Sequence, residues 1–237
     1  MVRPPDTHAH PKLSSEERRA AIIKAVRRVF ADKGFYGTTT RELAEAAGVS
    51  EALLFKHFPN KEALYSAMQV SCCSEQGSGK WERLKALEPS TSTLVLMVHM
   101  LVSKMLAERA RNGDDDGVMH RLMLHSLMED GEFARLFLMK RLASCWIPKV
   151  EECVQASITA GDMEKGPGRA DLAGWFVHHL AAMLMVNLFP PAPVVDYGVS
   201  RDKLVEQVVW FALGGLGLTN EVIRRHYNPK ALALLSD

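Results

Sequence analysis

The chain has 237 residues, 47% of them hydrophobic and 24% charged, with only 16 glycines and 11 prolines; this composition supports a sizeable core and excludes a disordered or fibrous protein. Its formal net charge of +1 conceals an asymmetry, because ten Lys/Arg stand against six acids between Lys12 and Lys61 while residues 62–237 carry a net −3. A basic head on a mildly acidic body fits a protein that meets a polyanion with its N-terminal part only.

Residues 1–13, "MVRPPDTHAHPKL", hold three prolines and no apolar period, and read as a mobile tail. Ser14-Ser15-Glu16-Glu17 is an N-cap signature, after which Ile22, Ile23, Val26, Val29 and Phe30 recur at helical spacing until Gly34. Two helices of fewer than about ten residues follow. The first opens at a threonine cap among Thr38, Thr39 and Thr40 and stops at Gly48; the second is capped by Ser50 and stops at Pro59. Asn60 caps a fourth helix from Lys61 to about Cys73, which "SEQGSGK" ends or interrupts. Beyond Pro89 helical periods span Thr93 to Arg111, Gly117 to Asp130, Glu132 to Ala160, Arg169 to Phe189 and Arg201 to Leu218, with a short helical tail from Glu221. No alternating run signals a strand, so the fold class is all-α. The expected domains are the tail, a three-helix unit over 14–60 and a helical body over 61–237.

Two short helices joined by a glycine turn can hold the second one out into a DNA major groove, or can form a structural corner. With Leu43, Ala44, Ala47, Val49, Leu53 and Leu54 inward, Arg41, Glu45, Glu51, Ala52, Phe55, Lys56 and His57 remain for solvent or a partner. The threonine-capped start of the first short helix and Lys61 after Asn60 are candidate phosphate sites. Arg41 suits a bidentate contact to guanine, about 1–3 kcal/mol of discrimination.

The stretch "GFYGTTTRELAEAAGVSEALLFKHFPNKEALY" resembles the DNA-binding domain of the TetR family of transcriptional repressors over residues 16–65. It carries a glycine-aromatic pair, threonines and an arginine, then "AEAAGVS", a recognition helix and "FPNKEAL". The resemblance implies that Thr39 and Arg41 meet the DNA backbone and groove edge, that Ser50, Glu51 and Ala52 lead the recognition helix, and that Lys61 takes a phosphate. Phe55 and His57 stand where the family usually has tyrosine, which makes His57 and Lys56 the replacements for lost phenolic contacts; Phe55 is open to packing or to DNA contact. The remaining 170 or so residues match the family in architecture alone.

The body supplies two further expectations. The helices from Arg169 and from Arg201 are apolar on more than one face, and Leu172, Phe176, Leu180, Leu184, Leu204, Val208, Phe211 and Leu216 are candidates for a symmetric dimer contact or for a fully internal hairpin. The chain has twelve methionines, adaptable lining for a core or a cavity. Since the resembled family couples a ligand cavity to DNA release, Met97, Met100, Met105, Met123, Phe133, Phe137, Trp146, Trp175, His178 and Met183 are candidates to line a pocket for a small apolar or aromatic effector. Pro148 is expected to kink its helix and widen that space. The four cysteines lack zinc-site spacing and read as reduced thiols in a cytoplasm, and no membrane span is expected. No nucleophile, acid-base pair or metal set stands out, so neither an enzyme, a resident cofactor nor a metal site is expected. The reading is a homodimeric repressor on a palindromic operator. A redox, haem or metal-responsive sensor built around Cys72 and Cys73, and a helical adaptor that does not bind DNA, are the alternatives.

Overall fold

The computed structural model describes residues 13–75, 79–107, 115–164, 166 and 169–236. The predicted tail lies outside them except for Leu13, as do residues 76–78 of the expected interruption. The described chain is helical with no strand, and a single bridge joins Met163 to Leu218. Two compact units form: one of residues up to Glu75 with Val118–Asp130, the other of Gln76–Gly117 with Gly131–Asp237.

In the first unit, α1 (Ser15–Lys33) opens with a reciprocal box in which the Ser14 hydroxyl accepts from the Glu17 amide and the Glu17 carboxylate accepts from the Ser14 amide. Ile22, Ile23, Val26 and Phe30 form its buried face. It ends at Gly34, whose φ of 70° is a conformation that only glycine adopts at little cost. Then come α2 (Thr40–Ala46) and α3 (Glu51–His57), seven residues each, too short to persist alone. Their apolar residues Leu43, Ala44 and Leu54 are buried together with Phe58. α4 (Lys61–Glu75) starts where the Asn60 side chain accepts from the Ala63 amide, and presents Leu64, Tyr65 and Met68 to this core; the Tyr65 ring meets Phe30 edge-on at 4.9 Å. The predicted 14–60 module therefore lies within a larger unit, which also takes in most of α7 (Asp115–Met128). Arg121 on α7 pairs with Asp32 of α1 at 2.8 Å, and the ends of His125 and Glu129 crowd Gly34.

The second unit contains α5 (Gly79–Ala86), α6 (Thr91–Ala107), α8 (Glu132–Leu138), a π-helical stretch (Met139–Trp146), α9 (Ile147–Thr159), α10 (Ala170–Leu188), α11 (Arg201–Leu216), α12 (Asn220–His226) and α13 (Pro229–Ser236). α6 packs against α9, α10 and α11, burying Leu94, Val95, Val98, Leu101 and Val102. The continuous helix predicted over Glu132 to Ala160 is interrupted by the π stretch. Pro148 has no N–H to give the Ser144 carbonyl, and just before it the Ile147 amide reaches back five residues to Leu142. The kink expected at Pro148 thus takes the form of a widened turn. After α12, Asn228 caps a further helix that the sequence reading did not separate: its side chain accepts from the Ala231 amide, and Pro229 occupies the first turn.

Candidate nucleic-acid interface

The turn between α2 and α3 is fixed by its backbone. The Val49 amide reaches back to the Ala44 carbonyl and the Gly48 amide to Glu45, with Gly48 at φ 64°; this double closure ends α2 and redirects the chain into α3. Ser50 then caps α3, accepting from the Leu53 amide at 3.2 Å, and its own O–H remains able to donate. At the far end of α3, the Arg19 guanidinium donates to the His57 carbonyl at 2.5 Å and lies over the Phe58 ring at 4.1 Å. One arginine of α1 thereby closes the C-terminus of the candidate recognition helix. The sequence reading overlooked it, and the only signal was a cation on an otherwise polar face of α1.

The threonines divide into separate roles. Thr38 is buried and its hydroxyl donates to the Gly34 carbonyl at 2.7 Å, so its expected DNA contact is corrected: the side chain is spent on holding the α1–α2 loop. Thr39 is the cap, and its hydroxyl both accepts from the Glu42 amide and donates to the Glu42 carboxylate. Lys33 sits against that carboxylate, and with the Thr39 bonds holds its pKa at about 2. Thr40 donates to Glu51 at 2.9 Å, joining the starts of α2 and α3.

Lys61 also departs from expectation. Its ammonium donates to the Thr38 carbonyl at 2.5 Å and lies 4.4 Å from the centre of the Phe35 ring, so it ties α4 to the loop rather than standing clear for a phosphate. Arg41, Ala52, Phe55 and Lys56 are exposed, His57 is half-buried, and none of these five side chains has a partner among the described residues. They form the outward side of α2 and α3. Tyr36, exposed on the loop before α2 and stacked edge-on against Phe35, is an aromatic that the sequence reading named only as part of a motif.

In the second unit the structure separates the residues assigned to a pocket. Met97, Phe133, Trp146 and His178 are buried, while Met100, Met105, Phe137 and Trp175 are half-buried. Met183 is 61% exposed and so does not line an interior space, and Met123 sits on α7 in the first unit. A groove of about 590 Å³ between α9, α10 and α11 is lined instead by Leu172, Phe176, Leu180, Phe211 and Leu216, five of the residues expected at a dimer contact. Leu184 is half-buried. Leu204 and Val208 are corrected as dimer residues, since they lie in the core of their own unit on the inward face of α11. Cys72 is buried with its thiol 3.6 Å from the Met68 sulfur, whereas the side chain of Cys73 lies outside the described residues. Among the described residues no helix is long and apolar enough to cross a membrane, and no cluster of three His, Cys, Asp or Glu has the placement of a metal site.

Comparison with known proteins adds to this geometry. Residues 22–68 match the model of the bacterial regulatory proteins of the tetR family. The helix-turn-helix-type transcriptional regulator YvkB of Bacillus subtilis (strain 168) is 42% identical over 57 residues, 24% of this chain and 30% of that protein. The regulatory protein RaaS of Mycobacterium tuberculosis is 30% identical over 131 residues, 55% of this chain and 57% of that one. The chain thus spans about a third of the first of these curated relatives and just over half of the second. Among solved structures, AibR in complex with isovaleryl coenzyme A and operator DNA superposes with a TM-score of 0.59 at 17% identity, over 82% of this chain and 97% of AibR, a likeness of fold alone.

Proposed function

Starting from a TetR-family transcriptional regulator, identified by its N-terminal module and helical fold, we propose that this protein binds a palindromic operator as a homodimer, represses from it, and is released by a small apolar or aromatic effector held in the second unit. The observation that carries the reading is the outward side of α2 and α3. Arg41 on α2 and Lys56 on α3 stand there exposed and unpaired, with Ala52 and Phe55 beside Lys56 on the helix that Arg19, Leu54 and Phe58 fasten from behind. A cation without an internal partner has no ion pair or hydrogen bond to give up, and it is available to a phosphate or a base edge. Such a regulator works in the cytoplasm, where it meets DNA.

Homodimerisation is supported by the exposed apolar faces of α10 and α11, and effector binding by a fold that in AibR accommodates isovaleryl coenzyme A as well as operator DNA. Effector and operator are then linked reciprocally, with a coupling typically of about 1–3 kcal/mol. Mobility shifts on the DNA upstream of the protein's own gene, with salt varied, test the reading. Affinity should fall steeply with salt as counterions are displaced. Arg41→Ala should weaken operator binding by about 1–3 kcal/mol and narrow the gap between operator and random DNA. Lys56→Ala should weaken both equally. The absence of a salt-dependent shift with any DNA would return the molecule to the class of helical adaptors, and binding unmoved by both substitutions would take the contact away from this face.

A further inference from the structure

Three buried polar atoms described in the second unit have no hydrogen-bond partner; His226 Nε2 faces the Asp162 carboxylate at 3.4 Å, but the indole Nε1 of Trp146 and the Nδ1 of His178 face no such charge. Their side chains are 2% and 6% exposed. Leaving such groups unpaired in an apolar interior is costly, and native proteins rarely do so without a use for them. Trp146 is the last residue of the π stretch, a widened turn of the kind that recurs at functional sites. Its position is set by Gly174 on α10, where an added Cβ would lie 2.7 Å from Ile147 Cδ1 and 3.1 Å from Trp146 Cζ3. With the Cζ3 edge held against Gly174, the opposite edge, bearing Nε1–H, points away from that contact. His178 lies one turn further along the same face of α10. A backbone irregularity, a close approach that only glycine permits and two residues with orphaned polar groups thus lie within about one helical turn of Gly174.

We propose that Trp146 and His178 are the polar anchors of the effector site, and that the effector is an uncharged molecule with an apolar frame and a carbonyl oxygen. This rests on the reading of the second unit as effector-binding, and specifies where and what it binds. The indole N–H can only donate, so its partner is an acceptor. Burial, reinforced by neighbouring His179, lowers the His178 pKa to about 4, so its ring is neutral near pH 7 and offers a donor or an acceptor according to tautomer. Lys149, the buried cation of α9, is already engaged with Glu152 at 3.1 Å. Among the described residues an anion brought here would lose its hydration without gaining a free counter-charge, whereas a neutral carbonyl oxygen can accept from an orphaned N–H at far smaller cost.

The test uses the full chain, with acetophenone, benzamide and coumarin as uncharged carbonyl probes and benzoate as the anionic counterpart. The Trp146 indole N–H resonance, assigned among the four tryptophans with Trp146→Phe, should move downfield and saturate with an uncharged probe and stay fixed with benzoate. Trp146→Phe and His178→Leu, each checked for retained helicity and operator binding, should weaken probe affinity roughly tenfold by removing one hydrogen bond. An indole resonance unmoved by all three probes, an equal response to benzoate, or unchanged affinity in both variants would overturn the assignment. A probe that raises Tm without moving this resonance likewise overturns it while leaving the effector reading intact. A probe that moves the resonance without releasing operator supports the site and counts against that reading.

Discussion

At the scale of single residues, Lys61 separates a structural role from a DNA role. In sequence it stands where a phosphate contact is expected, yet its ammonium reaches the Thr38 carbonyl and the face of Phe35. A charged donor to a backbone carbonyl and a cation over a ring each contribute of order 1 kcal/mol when partly screened. Lys61→Met keeps the stem's packing and removes only the charge. It is expected to lower stability in urea by about 1 kcal/mol, whereas Arg41→Ala should leave stability within about 0.5 kcal/mol, because Arg41 has no partner to lose. Equal denaturation midpoints for Lys61→Met and the parent would show that the ammonium does nothing for the loop. Gly34 shows the same division from the opposite side. It has φ 70°, and a Cβ there would meet Glu129 Oε1 at 2.6 Å and His125 Nδ1 at 2.9 Å, both ends of movable side chains. Its backbone conformation, more than the crowding, is what forbids another residue.

At the scale of elements, what was legible in the sequence is what is local. The caps at Ser14, Ser50 and Asn60, the stop at Gly34 and the break at Pro59 each act within four residues of where they are written, and the structure places helix ends beside all of them. Three adjacent threonines were a different matter. Only Thr39 has Glu42 at the third position to complete a reciprocal box, and tertiary contact decides that Thr38 turns inward. The π stretch was not legible, because Pro148 announces a lost hydrogen bond without saying how the chain before it will compensate. Nor was the packing of α7 within the first unit, which buries Val118, Met119 and Leu122 and brings Arg121 to Asp32, residues far apart in the chain. The box on α2 makes its own prediction. Thr39→Ala removes a cap and releases Glu42, costing about 1 kcal/mol, while Thr39→Ser retains the hydroxyl and should recover most of it. Chemical denaturation of the three proteins checks this, and loss of operator affinity in both variants alike would instead assign Thr39's methyl group to the DNA.

At the scale of the whole molecule, burial of ionisable groups sets the acid limit of stability. The folded-state pKa of His178, about 4, lies below the ordinary value near 6.5, so between those pH values the unfolded chain binds more protons than the native one. Stability is then fully present above about pH 6.5 and is lost as pH falls towards 4, by about 3 kcal/mol for this group alone. His99, held near the Tyr227 hydroxyl at 3.3 Å, is shifted in the same direction by burial. His178→Leu should therefore lose less stability than the parent between pH 7 and pH 4.5, and parallel losses in the two proteins would remove His178 from the account. The outer surface poses the remaining question. Phe176 and Phe211 are 64% and 72% exposed, Met183 stands seven residues beyond Phe176 on the same side of α10, and a Cβ at Gly214 or Gly215 would meet nothing within 4 Å. Large side chains of this kind on two long helices are an apolar surface that a lone chain seldom leaves in water. A two-fold contact would bury each residue against the same patch on a second copy, and would carry two recognition helices to a palindrome together. Phe211→Glu places a carboxylate at that seam in both copies, where desolvation and like-charge repulsion oppose assembly. Sedimentation should then find a monomer with its helicity intact and with operator affinity reduced to that of a single half-site. A Phe211→Glu protein that sediments as a dimer and binds operator like the parent would place the contact on another face.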